Sequence, residues 1–105
     1  MIGSCFVATI LAAILAVIAP SAQAADQLTG RNVAATCANC HTAPAHPEAT
    51  IPSLAGMSVA DLTRAMQAFK SGERAGTVMP QLAKGYSDAQ IEAVARWYAT
   101  QKPST

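Results

Sequence analysis

Hydrophobic and polar positions divide this chain into an uncharged leader, three amphipathic segments and the loops that join them. Residues 2–25 carry no charge, and their apolar stretch occupies residues 6–19. The first amphipathic segment predicts a helix over residues 28–39 with Val33 on its apolar face. The second opens with Ser58-Val59-Ala60-Asp61, an S-x-x-D pattern in which the serine oxygen and the carboxylate satisfy free amide groups of a helix start. Val59, Leu62, Met66 and Phe69 then recur every three to four residues as one buried stripe, and Gly72 is a natural stop. The third begins at Ser87-Asp88-Ala89-Gln90, again with cap chemistry, and carries Ile91, Val94, Ala95 and Tyr98 on one face before Pro103. No stretch alternates with a period of two, and no repeat is present. Residues 42–56, rich in Pro and Ala without periodicity, read as a loop wrapped around something. The pattern predicts one all-α domain of three main helices.

The leader resembles a cleaved secretory signal. Pro20 is followed by Ser21-Ala22-Gln23-Ala24, and the small residues Ala22 and Ala24 fit an A-x-A site with cleavage after Ala24, or one residue later at Ala25. No Lys or Arg precedes the apolar stretch, so only the α-amino group supplies positive charge at its start. The alternative is an uncleaved anchor, since an uncharged run of this length can just span a bilayer. Cys5 has no apolar stretch before it, which excludes a lipoprotein site. The expected organisation is a signal peptide over 1–24 and a domain over 25–105, exported to the periplasm, with membrane attachment only if the leader is retained.

Removing the leader changes the composition. About 80 residues remain, and they hold every charge, seven basic and six acidic, so the domain is nearly neutral and nothing suggests a nucleic-acid partner. A chain this short builds a marginal core unless a disulfide, metal or cofactor supplements it.

Cys37-Ala38-Asn39-Cys40-His41 supplies such a cofactor, because C-x-x-C-H is the attachment pattern of a c-type haem. Two thiols three residues apart lie on nearly the same side of a helical turn, where they can add to the two vinyl groups on one porphyrin edge. The following histidine is held beneath the ring with a nitrogen facing the iron. A disulfide or metal knuckle is the competing account, but zinc needs further ligands and only Cys5 and His46 remain outside the motif. A thioredoxin-like reading requires a βαβ pattern, which is missing. One covalently bound haem would then serve as the core, and an apo form with both cysteines replaced by serine is expected to lack cooperative unfolding.

The second axial position has four candidates, Met57, Met66, Met79 and His46. His46 follows His41 too closely to reach the opposite face of the ring. Met66 belongs to the apolar stripe of the second helix, and Met57 abuts a helix cap. Met79 sits in Gly76-Thr77-Val78-Met79-Pro80, read as a non-helical stretch between two helices with Pro80 stiffening the backbone just beyond it. It is the expected ligand, and a thioether there stabilises ferrous iron and raises the reduction potential.

The order of C-x-x-C-H helix, proline-containing loop, helix, Thr77-Val78-Met79-Pro80 loop and C-terminal helix resembles class I cytochrome c over essentially the whole of residues 25–105. The resemblance implies a small class I cytochrome c fold with loops wrapped around the haem. It also implies that a proline after the motif offers its carbonyl to the proximal histidine; Pro52 is the match, with Pro44 and Pro47 as alternatives. The first and last helices pack together in that family, which places Val33 against Ile91, Val94 and Tyr98. Phe69-Lys70-Ser71-Gly72-Glu73, with Thr77-Val78-Met79 and Ala83-Lys84-Gly85-Tyr86-Ser87, is further similar to the cytochrome subunits of flavocytochrome c sulfide dehydrogenases. There an FAD-containing flavoprotein oxidises sulfide and the cytochrome takes the electrons, which pass on to the respiratory or photosynthetic chain. Many such subunits carry two haems, whereas this chain has one C-x-x-C-H.

With His41 and Met79 on the iron there is no vacancy for oxygen, peroxide or sulfide, so the expected work is outer-sphere electron transfer by a carrier and not enzymatic turnover. Two other readings stand beside the flavoprotein-linked one. A free shuttle to a terminal oxidase or reductase shares nearly every residue discussed, and a ligand-binding sensor or peroxidase requires that Met79 leave the iron. Lys70, Arg74 and Lys84 flank the Met79 segment; with Glu73 among them, a solvated surface is the simpler account and a docking patch the other. Trp97 and Tyr98 are expected to pack near the haem or between helices.

Overall fold

The computed structural model describes residues 22–42 and 50–103. Most of the expected signal peptide, Cys5, His46, Pro44 and Pro47 lie outside the described residues. Four helices are described: α1 (Ala22–His41), α2 (Val59–Ser71), α3 (Met79–Lys84) and α4 (Asp88–Ala99). None is long and apolar enough to cross a membrane.

Helix α1 begins six residues before the expected start and runs through both cysteines to His41. Its first turns lack an apolar stripe and are held from outside. Arg96 on α4 donates from Nε and Nη2 to the two carboxylate oxygens of Asp26, each at 2.7 Å. Such a planar fork fixes orientation as well as distance. Helix α2 starts where its cap chemistry predicts, with the Ser58 hydroxyl accepting the Asp61 amide at 3.1 Å. It stops at Gly72, whose φ of 85° is the left-handed conformation that glycine adopts without a Cβ penalty. Helix α4 opens with a reciprocal box: the Gln90 amide donates to the Ser87 hydroxyl, and the Ser87 amide donates to the Gln90 side-chain oxygen.

Helix α3 corrects the expectation of a non-helical stretch around Met79. Met79 is its first residue and Pro80 follows at once, where a fixed φ favours a helix start and the missing N–H costs nothing. Six residues are too few to show a periodic stripe, so the pattern gave no sign of it.

Helices α1 and α4 cross at close range because Gly30 has no side chain; a Cβ built there runs into the Ala93 carbonyl oxygen. Around this crossing Val33 and Ala34 join Leu62 and Met66 of α2, Ala83 of α3, and Ile91, Val94, Ala95 and Tyr98 of α4 in one cluster. Val33 therefore shares a core with Ile91, Val94 and Tyr98, as the resemblance implies. The Tyr98 hydroxyl donates to the Ala34 carbonyl at 3.1 Å, and the Tyr98 carbonyl accepts the Gly56 amide at 2.9 Å, so α4 holds both α1 and the segment that follows the haem-motif loop. Trp97 is partly buried against the same cluster.

Candidate functional site

The last turn of α1 carries the motif. Cys37 is half-buried against the core, Cys40 is exposed, and neither forms a disulfide among the described residues. Burial is the largest influence on the Cys37 thiol and pushes its pKa up. Among the described residues no group of three His, Cys, Asp or Glu could hold a metal ion.

His41 ends α1, and its Nδ1 lies 2.7 Å from the Pro52 carbonyl oxygen. A carbonyl can only accept, so Nδ1 carries the proton and the Nε2 lone pair is free to bind a metal. The carbonyl's position is set locally. Leu54 accepts the Met57 amide at 3.1 Å in a turn that uses Gly56 at φ 79°, and Gly56 in turn is bonded to α4.

Leu54, Met57, Phe69, Met79 and Tyr86 are partly buried hydrophobic side chains packed on the same core as Cys37. Met66 is buried at 8 % exposure, which fits packing, whereas Met79 is only partly covered and opens α3. The Thr63 hydroxyl oxygen on α2 is buried without a hydrogen-bond partner among the described residues. An open surface groove of about 360 Å³ borders His41 between α1 and α4, but Cys37, Cys40 and Met79 do not line it.

These residues fit haem c. They offer two thiols three residues apart at one helix end, an imidazole with a free Nε2, a second soft donor on a separate element, and apolar side chains packed on the same core. The fit rests on the donor set and on the His41–Pro52 bond.

Several contacts here were beyond the sequence reading. Thr36, one residue before Cys37, has its hydroxyl 2.9 Å from the Tyr86 hydroxyl. Lys70 does not face outward as a docking charge: its Nζ donates to the Tyr86 carbonyl at 2.8 Å and to Asp88 Oδ1 at 3.0 Å. Arg74 lies over the Phe69 ring at 4.7 Å, and Lys84 is exposed. The partners in the Thr36 and Lys70 contacts are 50, 16 and 18 residues apart, so no local pattern signals them.

The family described as cytochrome C oxidase, cbb3-type, subunit III matches residues 24–97. The chain is 32 % identical over 79 residues to the cytochrome subunit of sulfide dehydrogenase of Chlorobaculum tepidum, covering 75 % of this chain and 72 % of that one. It is 32 % identical over 83 residues to cytochrome c-554(548) of Halomonas halodenitrificans, covering 75 % of this chain and all of that one. To the thiosulfate dehydrogenase electron acceptor of Thiomonas intermedia it is 40 % identical over 73 residues, which cover 68 % of this chain and 34 % of that protein.

Proposed function

The chain belongs to the class I c-type cytochromes, electron carriers that bind haem c, and from that membership we propose a periplasmic one-haem carrier that takes electrons from a flavoprotein sulfide dehydrogenase. Residues 1–24 are the export signal in this reading, and 25–105 the functional domain, although α1 begins at Ala22, three residues before the proposed cleavage point.

When bound, haem c supplies reversible one-electron chemistry at iron. Cys37 and Cys40 tether it by thioethers, and His41 ligates the iron through Nε2. Pro52 holds the His41 ring in the required tautomer and orientation, which also increases the basicity of Nε2. Met79 would supply the second iron ligand, which would leave the iron no site for a small substrate. Leu54, Met57 and Phe69 keep the surroundings apolar, which limits reorganisation between the two oxidation states. The observation that carries this reading is the 2.7 Å approach of His41 Nδ1 to the Pro52 oxygen directly beside a C-x-x-C motif.

The sulfide reading is supported by the Chlorobaculum relative and by the Phe69–Glu73 and Ala83–Ser87 strings. A free shuttle to a terminal oxidase or reductase is the second reading, favoured by the match along the full length of the Halomonas cytochrome. Native purification following haem absorbance, with spectra before and after anaerobic sulfide and a check for bound flavin, separates them. A co-purifying flavoprotein with rapid haem reduction supports the first. A lone cytochrome that sulfide reduces only slowly supports the shuttle. A high-spin ferric spectrum with rapid carbon monoxide binding would overturn both and indicate an open iron site.

A further inference from the structure

We infer that Tyr86, with Thr36 and Lys70, is a latch that sets the position of Met79, and that these three residues govern how firmly its sulfur stays on the iron. The inference rests on the assignment of Met79 as the axial ligand.

Met79 rides on a helix that is poorly fixed from its N-terminal side. Helix α3 is six residues long, and Val78, at its start, makes no side-chain cap hydrogen bond. Residues 71–78 before it are all exposed. The bonds on this side are local, from the Arg74 amide to the Ala68 carbonyl at 3.0 Å and from the Gln81 and Leu82 amides to the Val78 carbonyl at 3.0 and 3.1 Å, with Gly76 close against Pro80 and the Phe69 ring. On the other side, local bonds close the helix and longer-range ones follow. The Gly85 amide donates to Leu82 at 3.0 Å and the Tyr86 amide to Ala83 at 3.3 Å, so Tyr86 closes the helix.

Tyr86 then ties that closed end to both neighbouring helices. The Thr36 hydroxyl donates to the Val33 carbonyl at 2.7 Å, which commits its single proton. The 2.9 Å contact with Tyr86 therefore runs from the tyrosine O–H to the threonine oxygen. Through it the end of α3 is bonded to the residue preceding Cys37, on the helix that carries the other iron ligand. The Tyr86 carbonyl accepts from Lys70 on α2, and the same ammonium bonds Asp88 Oδ1, which also accepts from Gln67 at 2.9 Å. Two side chains of α2 thus grip the segment from Tyr86 to Asp88. Buried Ala83, at 0 % exposure, seats the helix between these ties.

The chemical consequence follows from the ligand type. A neutral thioether is a weak donor to ferric iron, so its retention depends on how little its carrier must be reorganised to hold it there. If the latch orders α3, loosening it lets an external ligand compete more easily for the iron without removing any group that touches it. Each latch hydrogen bond is expected to count for about a fivefold change in that competition, the typical net worth of one such bond.

The test uses the holoprotein and imidazole as the competing ligand. Ferric wild type, Tyr86→Phe, Thr36→Val, Thr36→Ser, Lys70→Met and Met79→Ala are compared for apparent imidazole affinity, for the far-red sulfur-to-iron charge-transfer band and for reduction potential. Far-UV thermal melts run in parallel. The latch predicts about fivefold tighter imidazole binding and a lower potential in Tyr86→Phe and Thr36→Val, with Thr36→Ser restored to wild-type values because it keeps the accepting oxygen. Lys70→Met is expected to act in the same direction. Lowered melting temperatures with unchanged imidazole affinity, band and potential in the latch variants would show that the bonds serve only the fold and would overturn the inference. Failure of the axial assignment itself reads differently: Met79→Ala would then match wild type in all three.

Discussion

Replacing Gly30 by alanine tests whether the crossing of α1 and α4 is as close as the structure places it. The new methyl group would lie well inside contact distance of the Ala93 carbonyl oxygen, 3.0 Å from the carbonyl carbon and 3.1 Å from Trp97 Cβ. Two of these atoms are backbone, so relief requires the helices to separate by about 1 Å and not a change of rotamer. Separation loosens Val33 and Ala34 from Ile91 and Val94, the centre of the core. Overpacking costs about 1–3 kcal/mol, and a clash with backbone atoms falls in the upper part of that range, about 2–3 kcal/mol, while alanine in a helix interior recovers about 1 kcal/mol relative to glycine. The expected net loss is about 1–2 kcal/mol, or about 5–15 °C in melting temperature for a domain of this size. Thermal melts of the oxidised holoprotein by far-UV circular dichroism give the value, and Gly72→Ala serves as the control. Gly72 has φ 85° and nothing within 4 Å of a built Cβ, so its cost is backbone strain alone and the near-UV signal of Trp97 stays unchanged. A Gly30→Ala protein that melts at or above the wild-type temperature would refute the close crossing.

Tyr98→Phe keeps the ring in the core and removes the bond to the Ala34 carbonyl; urea unfolding should show a loss of about 1 kcal/mol at unchanged m-value, and an unchanged midpoint would mean the bond contributes nothing. Asp26 and Asp88 lie below the usual carboxylate range, Asp26 chiefly through its hydrogen bond from Arg96 and Asp88 through those from Gln67 and Lys70. A folded-state value below the unfolded one means stabilisation that is fully present above the ordinary carboxylate range and lost as the pH falls through it. Melting temperature should therefore drop on acidification, and less steeply in Asp26→Asn and Asp88→Asn; parallel slopes would show that these carboxylates are not linked to folding.

The elements that could be read in advance are those whose signals lie within a few residues. Ser58 with Asp61, Ser87 with Gln90, and Gly72 each complete a cap from neighbouring chain, and the helices start or stop where those caps lie. The early start of α1 had no such signal, because its first turns are held by Arg96, 70 residues away. Helix α3 failed for a different reason: a six-residue helix started by Pro80 and seated by one buried alanine has no period to detect. At the candidate site, the C-x-x-C-H motif was legible from chemistry alone. Pro52 came only through the family resemblance, since nothing local distinguishes its carbonyl from those of the other prolines. Lys70 illustrates the limit most directly. Its charge reads as surface in the sequence, and only the approach of Tyr86 and Asp88 in space turns it inward.

The distribution of the core explains why site and fold are hard to separate in this chain. Ile91 and Val94, both on α4, are its largest fully buried side chains, and α1 contributes Val33 and Ala34 to the buried cluster. Leu54, Met57, Phe69 and Met79, which pack on the same core as Cys37, are only partly covered by protein. In the proposed holoprotein these same side chains surround the cofactor, so apolar burial and control of the iron environment fall to one set of residues. A substitution there cannot change one without the other. The Tyr86 ring packs on the same core, but the latch bonds run to Thr36 and Lys70, so variants that keep the ring and delete one bond are expected to adjust hold on the iron while leaving the core intact.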